Sequence, residues 1–144
     1  YEFVHPAFTS RALVAVNHED IVAVTEDSDT VTFTAIGGLR AEGPEESEQA
    51  GSPTLKLSLD GVSRYLLDAF DLALGDLNPV VVIERIYVSD DLTGPAVLPP
   101  ARCFVRSGTV TETRVELECG FGDPSNQPFP KKNYTREEHP GLAT

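Results

Sequence analysis

The stretch TLKLSLDGVSRYLLDAFDLALGDLNPVVVIERIYV, residues 54–88, reads as strand, capped amphipathic helix and strand, and the rest of the chain is organised around it. In Thr54–Leu59 the residues Leu55, Leu57 and Leu59 alternate with Thr54, Lys56 and Ser58. That period of two predicts a strand with one buried face. Asp60 stops the strand, and its carboxylate is expected to cap a helix over about 61–74, at the positive end of the helix dipole. Val62, Tyr65, Leu66, Ala69, Phe70 and Ala73 recur at three- and four-residue spacing, while Ser63, Arg64, Asp68 and Asp71 fall on the opposite arc. About three turns of helix should therefore lay one apolar stripe on a sheet. Gly75 is the expected left-handed cap. Asn78-Pro79 ends helical geometry, because proline disfavours it in the residue before, and the β-branched run Val80–Val88 is expected to be a central strand.

Upstream, Tyr1–Val4 is short and apolar and is interrupted by His5-Pro6. Arg11–Val16 and Ile21–Thr25 are strand-like and are joined by the polar cluster Asn17-His18-Glu19-Asp20, which predicts a hairpin. Thr30–Ile36 places Val31, Phe33 and Ala35 on one face and three threonines on the other, so four short strands in succession point to a meander. Ala41–Pro53, with four Glu, two Gly and two Pro, is expected to be a mobile acidic loop over 41–53. Downstream, Ser89–Pro100 is a second loop, and Ala101–Arg106 and Arg114–Cys119 are strands. In the latter, Val115, Leu117 and Cys119 face inward while Arg114, Glu116 and Glu118 face outward.

These elements define a mainly β fold, an antiparallel β-sandwich or partly closed barrel with one amphipathic helix packed over an opening. Residues 1–120 would form the β-rich domain. Residues 121–144 hold four Pro and no periodicity and would form an extended docking tail, with Phe121, Phe129 and Tyr134 as aromatic anchors.

At 144 residues the chain has the length of one domain with a substantial core. Its 40% hydrophobic and 24% charged content is ordinary for a globular protein, and no apolar run approaches the ~20 residues of a membrane-spanning helix. The chain opens at Tyr1, contains no Met and shows no signal-peptide pattern, so residues preceding Tyr1 are expected. A formal charge of −12 disfavours a nucleic-acid-binding face, which needs concentrated Lys and Arg. Two cysteines make neither a disulfide framework nor a zinc site. A turn at Ser107-Gly108 would set Cys103 opposite about Glu112, and a turn at Glu112-Thr113 would set it opposite about Gly122. Neither register pairs it with Cys119, so two reduced, packed thiols are expected.

No catalytic constellation stands out. His18-Glu19-Asp20 sits in a turn whose neighbouring side chains diverge, and Asp90-Asp91 offers two carboxylates where calcium wants six to eight oxygens. His5 and His139 precede prolines as turn residues. Phosphate-binding glycine loops, G-x-S-x-G and H-E-x-x-H are absent from the sequence. Neither an enzyme nor a cofactor or metal site is therefore expected.

The tail carries the most specific signal. Cys119–Asn133, CGFGDPSNQPFPKKN, continues into Tyr134-Thr135-Arg136 and His139-Pro140-Gly141-Leu142. This run resembles the C-terminal signature of a family of phage minor tail proteins. Its Gly-Phe pair is Gly120-Phe121, its Asn-x-Pro-Phe-Pro run is Asn126 to Pro130, its basic pair is Lys131-Lys132, and Tyr134-Thr135 and Pro140-Gly141-Leu142 complete it. His5-Pro6-Ala7 and LSLDGVSRYLLDAF fit as well.

The resemblance implies a ring-forming tail-tip component between the tail tube and the hub, with a fold similar to tail-tube proteins. It implies assembly in the host cytoplasm, location in the virion, a homo-oligomeric ring of six or three copies, and tube and hub proteins as partners. DNA would pass the lumen without specific binding, and a membrane would not be involved. The expected interface residues are Phe121, Phe129 and Tyr134 as anchors, with Lys131, Lys132 and Arg136 meeting acidic surface such as Glu45, Glu46 and Glu48 of another copy. The alternative is a β-sandwich carbohydrate- or receptor-binding module, although the absence of Trp and the presence of only four Tyr leave few stacking platforms.

Overall fold

The computed structural model describes residues 1–43 and 54–121. In chain order its elements are β1 (Glu2–Val4), β2 (Ala12–Ala15), β3 (Ile21–Val24), β4 (Thr30–Ala35), β5 (Arg40–Glu42), β6 (Thr54–Asp60), α1 (Arg64–Leu74), β7 (Val81–Glu84), β8 (Ala101–Val110) and β9 (Arg114–Gly120). The fold is mainly β. The strands form one sheet in the order β3-β4-β2-β1-β7-β8-β9-β6-β5, with β7 at its centre as expected.

Chain connectivity forces this sheet to curl. β4 lies second and β5 last in the strand order, yet only Ile36–Leu39 joins them. Ala35 to Arg40 is five Cα steps, at most about 19 Å, whereas seven strand spacings in a flat sheet would separate them by roughly 34 Å. The sheet therefore wraps into an open half-barrel. Its interior is one core of Phe3, Val14, Leu55, Leu57, Leu59, Val82, Val115 and Leu117, with Leu67, Phe70 and Ala73 brought in by α1. Phe70 is fully buried and meets Phe3 and Phe8 edge-to-face at 5.0 and 5.2 Å between ring centroids. A smaller cluster of Ala15, Ala23 and Phe33 lies outside this core and is covered by Tyr87 and Leu92.

Of the two expected forms, sandwich or partly closed barrel, the single curled sheet of the nine described strands is nearer the partly closed barrel. Several expectations are corrected. The β2–β4 pair is parallel, so the sheet is not wholly antiparallel. The expected hairpin of 11–16 with 21–25 does not form, because β4 pairs with both β2 and β3 and lies between them. The helix begins at Arg64 with Ser63 as its cap. Asp60 stays in the β6 ladder opposite Arg114, whose guanidinium it binds at 3.2 Å, and Gly61 turns the chain at φ +72°. With this later start Leu67 joins the buried stripe, and Tyr65 is left 54% exposed. Gly75 has right-handed φ −82°; the exit is instead turned by Asp76, whose carboxylate accepts the Leu77 N–H at 2.6 Å. The strand expected over Val80–Val88 is β7 alone, because Arg85 turns away into a charge cluster. Ala41 and Glu42, expected within the mobile acidic loop over 41–53, belong instead to strand β5, and residues 44–53 of that expected loop lie outside the described residues.

The β8–β9 turn falls at Glu112-Thr113, the second of the two registers considered, with Val110 opposite Val115. A bulge at Arg106 shifts the ladder by one residue, so Val105 faces Cys119. Both cysteines are free and buried. They lie diagonally on one face, where donation of the Cys119 S–H to Cys103, together with burial, pushes the Cys119 thiol well above its ordinary pKa.

Candidate functional site

An open sheet has two edge strands, and this sequence treats them differently. On β3 the Val24 N–H donates to the Leu92 carbonyl at 2.9 Å, and the Tyr87 hydroxyl donates to the Val24 carbonyl at 3.0 Å. The β7–β8 connection thus caps that edge. It is held down by Arg85, whose guanidinium donates to both carboxylate oxygens of Glu26 at 2.6 and 2.8 Å and to Glu2 at 2.7 Å. Arg11 closes the cluster through Glu2 at 2.8 Å and Asp29 at 3.3 Å. The Arg85 side chain is only 2% exposed, so its charge needs both partners. Burial pushes the Glu2 carboxyl up, but hydrogen bonds from Arg11 and Arg85 outweigh this and hold it below the usual carboxylate value. The Arg85 bond likewise holds Glu26 low.

The opposite edge, β5, is exposed at all three residues. From it a polar face runs across β6, β9 and β8 on the side away from the core. Glu42 stands beside Lys56, then Glu118 and Ser107; Arg40 stands beside Ser58, then Glu116 and Thr109. These residues line a shallow groove of about 500 Å³. Arg114 bridges Asp60 and Glu116 at its end, at 3.2 and 3.5 Å. The outward charged face expected of Arg114, Glu116 and Glu118 is present, and opposite charges alternate across it.

Of the expected interface residues, Phe121 is half-buried and packs against the main core. Phe129, Lys131, Lys132, Tyr134, Arg136, Glu45, Glu46 and Glu48 lie outside the described residues, as does His139. His5 is buried and structural: its Nδ1 accepts the Ala7 N–H at 3.0 Å and its Nε2 lies 3.1 Å from the Asn78 carbonyl, which pins the 5–8 turn to the helix exit. Asp20 accepts the Ala35 N–H at 2.8 Å, and Asp91 accepts the N–H and hydroxyl of Thr93, bonds that lower its pKa. Among the described residues no three His, Cys, Asp or Glu side chains gather as metal ligands. The arrangement offers charge pairing and free backbone groups, which suit macromolecular contact.

Sequence reasoning missed the Arg85 cluster and the β5 edge. Arg85 sits inside an apolar run that reads as continuous strand, and β5 is only three residues long with no periodicity to betray it.

Among the described residues the fold and surface define a mainly β half-barrel with one edge capped at Val24 and the other, β5, exposed. The chain belongs to the DUF1833 family, a domain of unknown function, whose sequence model matches residues 1–134. No curated protein and no solved structure matches it.

Proposed function

We propose that this protein is a structural subunit of a bacteriophage tail tip, forming a ring of six or three copies between the tail tube and the hub. The observation that carries this reading is the tail motif, Gly120-Phe121 through Asn126–Pro130, Lys131-Lys132 and Tyr134-Thr135, which resembles that of phage minor tail proteins. The family match extends through residue 134, which supports treating the motif as far as Tyr134 as part of the same family domain as the half-barrel. A sheet that curls without closing also favours assembly, because its free edge presents unpaired backbone groups to another chain.

The mechanism is geometric. Subunits meet side by side around the tube axis, and the tail from Phe121 onward clasps a neighbour through Phe129 and Tyr134, with Lys131, Lys132 and Arg136 against acidic surface that includes Glu45, Glu46 and Glu48. A net charge of −12 keeps phosphates from adhering, so DNA slides through the lumen unbound. The subunit has a tail-tube-like fold, is assembled in the host cytoplasm and resides in the virion. Antibodies raised against the chain test this on purified phage particles: label at the tail tip is the expected result, and particles devoid of the protein would contradict it.

A further inference from the structure

The β5 edge carries a self-complementary pattern. In an antiparallel ladder, pairs that exchange backbone hydrogen bonds alternate with pairs that do not. The Asp60 N–H donates to the Gly38 carbonyl at 3.2 Å, so Gly38 and Asp60 are a bonded pair. Two and four residues on, Arg40 with Ser58 and Glu42 with Lys56 are bonded positions as well. The intervening Ala41 therefore turns its N–H and C=O away from β6, toward the open side. Arg40, Ala41 and Glu42 are all exposed, and neither Arg40 nor Glu42 makes an ion pair among the described residues.

We infer that β5 pairs antiparallel with β5 of a second copy about a twofold axis through Ala41. Ala41 then faces Ala41 of the other copy, and each N–H donates to the opposite carbonyl. Arg40 faces Glu42 of the other copy, twice by symmetry. Those two positions are non-bonded ones, where facing side chains approach most closely. The sequence Arg-Ala-Glu matches itself only when the second strand runs antiparallel; a parallel, in-register pairing would set like charges side by side. A twofold contact closes on itself and stops at two copies, so it is the contact of the free subunit and does not depend on a ring. With only a three-residue strand it is small and reversible.

Sedimentation equilibrium on the full chain, up to about 1 mM, tests it. The expected result is a reversible monomer–dimer equilibrium. Arg40→Glu should weaken it by roughly tenfold, since two attractive pairs become repulsive, and adding Glu42→Arg should restore it. Ala41→Pro, which removes an N–H pointing away from β6, should abolish the dimer with an unchanged circular dichroism spectrum. A wild-type chain that stays monomeric throughout would overturn the inference and assign Arg40 and Glu42 to protecting the edge. Association indifferent to Arg40→Glu and Ala41→Pro would also overturn it, by placing the contact elsewhere. Neither result bears on whether the protein is present in virions, so the tail-tip reading stands or falls separately.

Discussion

Arg85 joins two carboxylates that lie far from it in sequence, Glu2 on β1 and Glu26 after β3, and its side chain is nearly free of solvent. Removing one partner of such a cluster leaves uncompensated buried charge, so Arg85→Met should destabilise the fold by about 3–5 kcal/mol in urea denaturation. The same cluster sets an acid limit. Glu2 and Glu26 have pKa values depressed below the unfolded 4.5, so their contribution is complete above that value and is lost as pH falls through the lower folded values. In that window the unfolded chain binds more protons than the folded one, and stability should drop with falling pH. Glu26→Gln should flatten the decline in a series of urea midpoints taken below pH ~5. Thr25 makes the opposite case: its buried hydroxyl has no hydrogen-bond partner among the described residues. Thr25→Val should therefore raise stability, by about 1 kcal/mol in the same measurement. None of this was legible in the sequence, because a charge cluster depends on which distant strands become neighbours, and short segments do not encode that.

The elements were legible where one face is buried over several residues. The alternation in Thr54–Leu59 and Arg114–Cys119 marks β6 and β9, and they pair over their full lengths with Leu57 opposite Leu117. The spacing of Ala69, Phe70 and Ala73 marked the helix. Its start was misplaced by three residues because Asp60 and Ser63 both have capping chemistry, and only the ladder partner Arg114 decides between them. The order of β2, β3 and β4 was illegible for a related reason: the local turn Asn17–Asp20 suggests a hairpin, while the parallel pairing of β2 with β4 is a long-range contact. Gly38 shows how tightly the seam beside β5 is fitted. A Cβ there would lie 2.5 Å from the Asp60 Cβ and 2.8 Å from its carbonyl oxygen, whereas at Gly37 it would meet nothing within 4 Å. Gly38→Ala should cost about 1–3 kcal/mol in chemical denaturation, and Gly37→Ala should change little.

At the scale of the whole molecule, a short β4–β5 connection curls the sheet, α1 fills its interior, and the β7–β8 connection caps one edge while the other stays open. Such a domain folds around its own core, and its exposed β5 edge is the surface on which the proposed pairing rests. Phe121 packs against that core, so cutting the chain after it should leave the half-barrel intact. Deleting Pro128–Thr144 is accordingly expected to preserve the melting transition of the isolated chain while abolishing the proposed ring in assembled phage tails; rings formed there by the truncated chain would remove the clasp. The proposed tail-tip assignment is tested most directly by cryo-electron microscopy of tails from a phage whose genome encodes this chain. The account predicts a closed ring of six or three half-barrels, coaxial with the tube and directly above the hub. A tail tip fully accounted for by other proteins would contradict it.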